Sequence, residues 1–231
     1  DEHEALATIG LAHVENPLEF GIVITHDDGS IERFLEKPTW GQVFSDTINS
    51  GIFVLEPEIF DHIAADRPVD FSSEVFPGLL AAGKPLYGCV AEGYWEDVGT
   101  IGSYFEANLQ LCDPMPPFDF YDAAHPVYTH PRFLPATKVE GCQLRQALVS
   151  EGCILMGAEI ERSVVGIRSR IGQGTRVRDS LVLGADYYES LEEIDRAQAK
   201  GLPPVGIGGD SVIERAIVDK NSRVGRGVRL G

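Results

Sequence analysis

From Lys138 onward the chain repeats an aliphatic side chain every six positions, a period that belongs to neither a helix nor an ordinary half-buried strand. Val212, Val218, Val224 and Leu230 stand six apart, as do Ile154 and Ile160, and Ile171 and Val177. Gly172, Gly174, Gly225 and Gly227 supply turns between them. Hexads of this kind predict a parallel β-helix, in which each triangular coil stacks its aliphatic residues on the coil below. Between the two blocks of hexads, residues 186–206 break the rhythm with Tyr187-Tyr188 and a charged helical stretch, Leu191 to Lys200. The interruption predicts an insertion projecting from one coil.

The first half has a different grammar. Leu11 to Val14 and Phe20 to Thr25 are short β-branched runs, the Asp27-Asp28-Gly29 turn follows, and Ser30 to Glu36 returns as a strand. Ile48 to Leu55 predicts a buried strand, Pro57 to Ile63 a helix opened by proline, and Ser72 to Ala82 a helix opened by a serine cap. Tyr87 to Ala91 reads as strand and Ile101 to Cys112 as a helix closing the domain. Six prolines and many aromatics between Asp113 and Pro135 predict an extended connector packed against something. The expected organisation is an α/β domain over 1–113, a connector over 114–137 and a β-helix over 138–231 with the insertion at 186–206.

Composition excludes several partners. The 231 residues carry a formal net charge of −17, which argues against sequence-independent binding to nucleic acid or to an anionic membrane, since both need a basic face. A small anionic substrate would need a locally basic pocket. With 43% hydrophobic residues the chain can bury one large or two modest cores. Cys89, Cys112, Cys142 and Cys153 form no C-x-x-C pair, so they read as small buried hydrophobes in a reducing, cytoplasmic compartment. No stretch approaches the roughly 18 apolar residues of a membrane span. The opening Asp1-Glu2-His3-Glu4 has neither a basic leader nor an initiating methionine, so the chain reads as truncated.

Two short motifs carry the chemistry. Phe34-Leu35-Glu36-Lys37-Pro38 offers a cation for a phosphate, and Tyr94-Trp95-Glu96-Asp97-Val98-Gly99-Thr100 offers a carboxylate for a metal. Each ends in a residue that arrests regular structure, which puts both charges where strands give way to loops. In order along the chain, Phe-Leu-Glu-Lys-Pro, Asn49-Ser50-Gly51-Ile52, Asp70-Phe71-Ser72 and Tyr-Trp-Glu-Asp-Val-Gly-Thr resemble the sugar-phosphate nucleotidyltransferases. Farther on, Tyr128 to Pro135, Ser163-Val164-Val165-Gly166, Gly184-Ala185-Asp186-Tyr187-Tyr188-Glu189 and Arg215 to Asn221 resemble one branch, the glucose-1-phosphate adenylyltransferases (ADP-glucose pyrophosphorylases).

That resemblance implies the C-terminal portion of a Rossmann-like nucleotidyltransferase domain followed by a left-handed parallel β-helix, forming ADP-glucose and pyrophosphate from ATP and glucose-1-phosphate for glycogen or starch synthesis. It implies Mg²⁺ as cofactor, a homotetramer, and an anionic metabolite activator. The glycine-rich basic loop that wraps the triphosphate in such relatives is absent, and Asp27-Asp28-Gly29-Ser30 is a hairpin turn, not a phosphate cradle. The chain is therefore expected to carry the sugar-phosphate half of a site and to be inactive alone.

Carried over residue by residue, the resemblance makes Lys37 the phosphate ligand and Glu36 an acceptor from sugar hydroxyls. Asp97 becomes the catalytic metal ligand, with a helix N-cap as its alternative. Asn49, Ser50 and Gly51 present backbone groups to the sugar or simply lead a strand into a turn. Asp70 and Phe71 contact sugar hydroxyls or open a helix, Trp95 stacks beside the sugar or fills core, and Lys220 binds the activator or pairs with Asp219 at a β-helix edge. Pro38 to Thr47 looks more like the mannose-1-phosphate guanylyltransferases, which stand as the alternative beside a non-catalytic regulatory subunit. An acyltransferase, the other common owner of hexads, generally uses a histidine base, and all six histidines precede the β-helix.

Overall fold

The computed structural model describes residues 3–14, 16–17, 20–36 and 45–231, with the backbone alone for Glu36. It separates into two compact units, residues 1–95 and 96–231.

In the first unit, strands β1 (Ala7–His13), β2 (Gly21–Thr25), β3 (Ile31–Glu36), β4 (Thr47–Leu55) and β5 (Leu86–Val90) form a mixed sheet in the order β3-β2-β4-β1-β5. Among the described residues only the β1–β5 pair of this sheet is parallel. Period-2 alternation sends Ala7, Ile9 and Leu11 to one face, where they meet Ile59, Val75 and helix α1 (Phe76–Ala81). Ala12, Ile22 and Ile48 form a smaller cluster with Phe20 and Trp95. Phe76 is fully buried, worth roughly 1.5–3 kcal/mol of transfer free energy, and its ring contacts Phe34, Phe53 and Phe71 at 5.0–5.5 Å.

Three expectations need correction. The first strand starts at Ala7, ahead of Leu11. Pro57–His62 is a 3₁₀ helix. The expected Ser72–Ala82 helix opens one residue earlier, as a wide turn over Phe71–Val75 in which the Val75 N–H reaches back to the Asp70 carbonyl, before α1 proper (Phe76–Ala81). Its cap is Asp70, whose carboxylate accepts from the Ser73 N–H; serine was the wrong choice among neighbouring capping residues.

The second unit begins with helix α2 (Ile101–Gln110), which packs on the β-helix. No helix or strand occurs from Asp113 to Thr137. The coils follow as β6 (Lys138–Glu140), β7 (Gln143–Val149), β8 (Ile154–Met156), β9 (Glu159–Val165), β10 (Arg170–Ile171), β11 (Arg176–Arg178), β12 (Leu181–Val182), β13 (Gly206–Ile207), β14 (Val212–Glu214), β15 (Ile217–Val218), β16 (Arg223–Val224) and β17 (Arg229–Leu230). All are parallel. Register stacks three interior columns: Val139, Leu155, Ile171, Ile207 and Val224; Leu144, Ile160, Val177, Ile213 and Leu230; Val149, Val165, Val182 and Val218. Helix α3 (Leu191–Ala199) lies in the insertion, opened by a Ser190–Glu193 capping box.

The β-helix is as expected, but two hexad members are out of register. Leu155 and Ile213, not Ile154 and Val212, join the columns. A strict hexad on every face makes a coil one residue longer than the 17 that separate Ile160 from Val177 and Val165 from Val182, and two longer than the 16 that separate Leu155 from Ile171. The Leu155–Ile160 step has only five residues, around Gly157 at φ 55°; the Ile160–Val165, Val177–Val182 and Ile213–Val218 steps also have five, around the corner where Arg162, Asp179 and Arg215 adopt left-handed φ of 42°, 44° and 48° and turn the chain more sharply. Buried Ser163 and Ser180 sit just beyond it, each Oγ donating to a carbonyl two residues back.

Candidate functional site

The motifs of the first unit are separated in sequence but are gathered by one aromatic cluster and a few hydrogen bonds. Phe34 from Phe-Leu-Glu-Lys-Pro, Phe53 just after Asn-Ser-Gly-Ile, and Phe71 from Asp-Phe-Ser all pack on Phe76 or on one another. Phe71 is thus half-buried core. Its packing holds the neighbouring Asp70, which is exposed, at the head of the wide turn.

Asn49 ties two of these segments together. Its Nδ2 donates to Ser72 Oγ at 2.9 Å, and its Oδ1 accepts the Gly51 N–H at 2.9 Å. Opposite Gly10 the β1–β4 ladder slips, leaving Ser50, Gly51 and Ile52 against one residue. Gly51 adopts φ +81° in this bulge, with open space where a Cβ would stand, so its requirement is conformational, not steric. Ser50 Oγ donates to the Gly10 carbonyl at 2.7 Å, and the Ser50 carbonyl accepts Trp95 Nε1–H at 3.3 Å. Trp95 also meets Phe20 edge-to-face at 5.9 Å. Asn49, Ser50, Gly51, Asp70, Phe71 and Trp95 are therefore linked in one neighbourhood. Glu36 ends β3 opposite Gly21, and β3 packs on the Phe71–Val75 turn. Its side chain and Lys37 lie outside the described residues.

Hydrogen bonds from the Ser73 backbone N–H and hydroxyl lower the Asp70 pKa below the ordinary carboxylate value. A lowered folded-state value means that the cap stabilises above the ordinary carboxylate pKa and is lost as pH falls through the lowered one. Asp70→Ala is expected to cost about 1 kcal/mol as a lost cap, whereas Asp70→Asn keeps the acceptor. If Asp70 also contacts substrate hydroxyls, Asp70→Asn raises the sugar-phosphate KM while thermal unfolding stays unchanged; an unchanged KM leaves it a cap alone.

Asp97 stands at the start of the second unit. The helix after it is capped by Thr100, whose Oγ1 accepts the Ser103 N–H at 3.0 Å while Ser103 Oγ accepts the Thr100 N–H at 3.1 Å. The capping role therefore belongs to Thr100. Asp97 is exposed, and among the described residues its carboxylate engages no hydrogen bond or ion pair. It folds over Gly99, where a Cβ would come within 2.9 Å of Oδ2.

Lys220 meets Asp219, the expected alternative, only through its backbone N–H, which donates to Asp219 Oδ1 at 2.7 Å; its ammonium turns elsewhere. Its Nζ bonds Asp186 Oδ1 at 2.9 Å, and Asn221 Nδ2 bonds Asp186 Oδ2 at 2.8 Å. These bonds lower the Asp186 pKa, Lys220 contributing most. Two motifs noticed separately in the sequence, Gly184-to-Glu189 and Asp219-Lys220-Asn221, thus meet on adjacent coils. Sequence reasoning missed the Asn49–Ser72 hydrogen bond, the phenylalanine cluster and this clasp, because each is a tertiary pairing with no local pattern.

No helix among the described residues is long and apolar enough to cross a membrane. Residues 1–113 match the family model for a nucleotidyl transferase, and residues 132–231 match that for the GLGC left-handed parallel β-helix domain. Carrying both in this order, the chain belongs to the ADP-glucose pyrophosphorylase-like sugar-phosphate nucleotidyltransferases.

Proposed function

We propose that this chain carries the sugar-phosphate side of a glucose-1-phosphate adenylyltransferase, which forms ADP-glucose and pyrophosphate from ATP and glucose-1-phosphate. The observation that carries the reading is the convergence of Asn49-Ser50-Gly51, Asp70-Phe71-Ser72 and Trp95 through the Asn49–Ser72 and Ser50–Trp95 hydrogen bonds. Exposed polar groups are held there by a rigid aromatic support, the arrangement a sugar-binding surface requires. The adenylyl and glucose assignment draws on the Gly184-to-Glu189 and Asp219-to-Asn221 motifs, which contact each other through Asp186.

In the proposed reaction an oxygen of the sugar-1-phosphate attacks the α-phosphorus of ATP, the bond to the β-phosphate oxygen breaks, and pyrophosphate leaves. No covalent enzyme intermediate is needed. The protein's task is to hold two polyanions in line against their repulsion. Lys37 would give the sugar phosphate a point charge, Glu36 would accept from sugar hydroxyls, and the Asn49–Gly51 bulge would orient the ring.

Asp97 fits a magnesium ligand: it is an exposed carboxylate, unengaged among the described residues, whose capping alternative is filled by Thr100. Among the described residues no three His, Cys, Asp or Glu side chains converge as a metal site. Asp97 would accordingly supply one oxygen, with substrate phosphates and water completing the shell. When bound, the ion neutralises phosphate charge.

Steady-state kinetics with glucose-1-phosphate varied test the binding half. Lys37→Ala is expected to raise KM by roughly 10- to 100-fold, the scale of a lost hydrogen bond to a charged group, with kcat within a few-fold. A fall in kcat at unchanged KM would remove Lys37 from the substrate.

A further inference from the structure

Helix α2 connects the Asp97 loop to the β-helix. Its first turn is locked to the loop by the reciprocal Thr100–Ser103 capping bonds, and its far end is docked through buried Leu109 and Cys112 against β9 and its neighbours. At that end Arg162 stands in the middle of β9, where the ladder skips a position: Arg145 pairs with Glu161 and Ala147 with Ser163. Arg162 takes the left-handed corner conformation, φ 42°. That conformation is uncommon for a residue other than Gly, Asn or Asp, and strain of this type costs on the order of 1 kcal/mol. From this corner the guanidinium reaches two ways. One Nη donates to Asp179 Oδ1 at 2.8 Å on the next coil, and Nε lies 4.0 Å from the Asp113 carboxylate just beyond α2. Glu106, within α2, adds to its electrostatic surroundings. Its side chain is 35% exposed, so as a stabilising pair alone it is worth little.

We infer that Arg162 is a positioning residue for Asp97: it clamps the C-terminal end of α2 to the β-helix corner, and the capped helix transmits that placement about 15 Å to the Asp97 loop. The β-helix thereby enters catalysis through geometry, without touching the reacting atoms. This rests on the metal-binding reading of Asp97.

The experiment compares Arg162→Met, which keeps much of the apolar stem and loses the fork, with Arg162→Lys, in the intact protein as its gene encodes it. Hydrogen exchange over residues 97–110 is the first readout, with residues 217–230 as internal reference. Binding of Mn²⁺, the probe metal, and the division between kcat and KM complete the set. Arg162→Met is expected to speed exchange over 97–110 by roughly tenfold while 217–230 is unmoved. Mn²⁺ affinity and kcat are expected to fall by roughly tenfold at constant sugar-phosphate KM, with part of the loss restored by lysine. Exchange unchanged over 97–110, or raised equally over 217–230, overturns the clamp. Asp97→Asn with unaltered Mn²⁺ binding instead sinks the metal reading and the catalytic consequence with it, whatever Arg162→Met does to exchange.

Discussion

Asp97→Asn is expected to lower turnover at saturating substrates by roughly 10²- to 10³-fold, the 3–4 kcal/mol scale of one preorganised electrostatic contact to a developing charge. The substitution keeps size and shape and removes the charge. Thr100 and Ser103 cap α2 by themselves, so the helix and its docking survive. The sugar-phosphate KM is expected to move less than threefold or so, because a contact made chiefly in the transition state lowers kcat and kcat/KM together. Raising Mg²⁺ is expected to recover part of the activity. A normal kcat at ordinary Mg²⁺ would return Asp97 to the solvent-exposed surface.

The largest effect on stability is expected at the root of the insertion. Glu189, 3% exposed, pairs with Arg223, 29% exposed, and its second oxygen accepts the Val205 N–H at 2.6 Å. Arg223 also donates to the Pro203 carbonyl at 2.7 Å. One carboxylate thus joins both ends of the insertion to the following coil. Glu189→Ala removes the acceptor of a largely buried N–H and leaves a partly buried guanidinium without its carboxylate, a loss of about 2–4 kcal/mol after allowance for the exposure of Arg223. Calorimetry is expected to show a Tm lower by roughly 5–10 °C, with proteolysis entering residues 190–202 first. Glu189→Gln, which retains an acceptor, is expected to lose less. A Tm within a degree of the parent for Glu189→Ala would show that the insertion is held by packing alone.

The β-helix was readable because its interior needs an aliphatic side chain at each face, and Ile171, Val177, Val218 and Val224 supply it at nearly constant spacing. The register slipped at Val212 because the shortened corner there is made by Arg215, as by Arg162 and Asp179 on the coils below, residues that give no glycine-like warning of a left-handed turn; at Ile154 it slipped because the Leu155–Ile160 step is shortened at Gly157. Capping shows a similar limit. Asp70, Ser72 and Ser73 are all competent caps, and only the backbone path decides that Asp70 accepts and Ser73 donates. The individual site motifs were legible as residue types suited to phosphate, sugar and metal. Their gathering was not, since Asn49 finds Ser72 across 23 residues and Lys220 finds Asp186 across 34. Helix α2 was visible from its spacing, but an amphipathic pattern states only that one face is buried, not what buries it. Its docking on the β-helix is therefore a tertiary finding.

The most direct test is Mg²⁺-dependent pyrophosphate release by the intact protein, offered ATP or GTP against glucose-1-phosphate or mannose-1-phosphate. The expected result is release with ATP and glucose-1-phosphate, abolished by chelation and strongly reduced by Asp97→Asn. Preference for GTP with mannose-1-phosphate would contradict the substrate assignment, and silence in all four combinations from a folded protein would contradict the catalytic assignment in favour of a regulatory subunit.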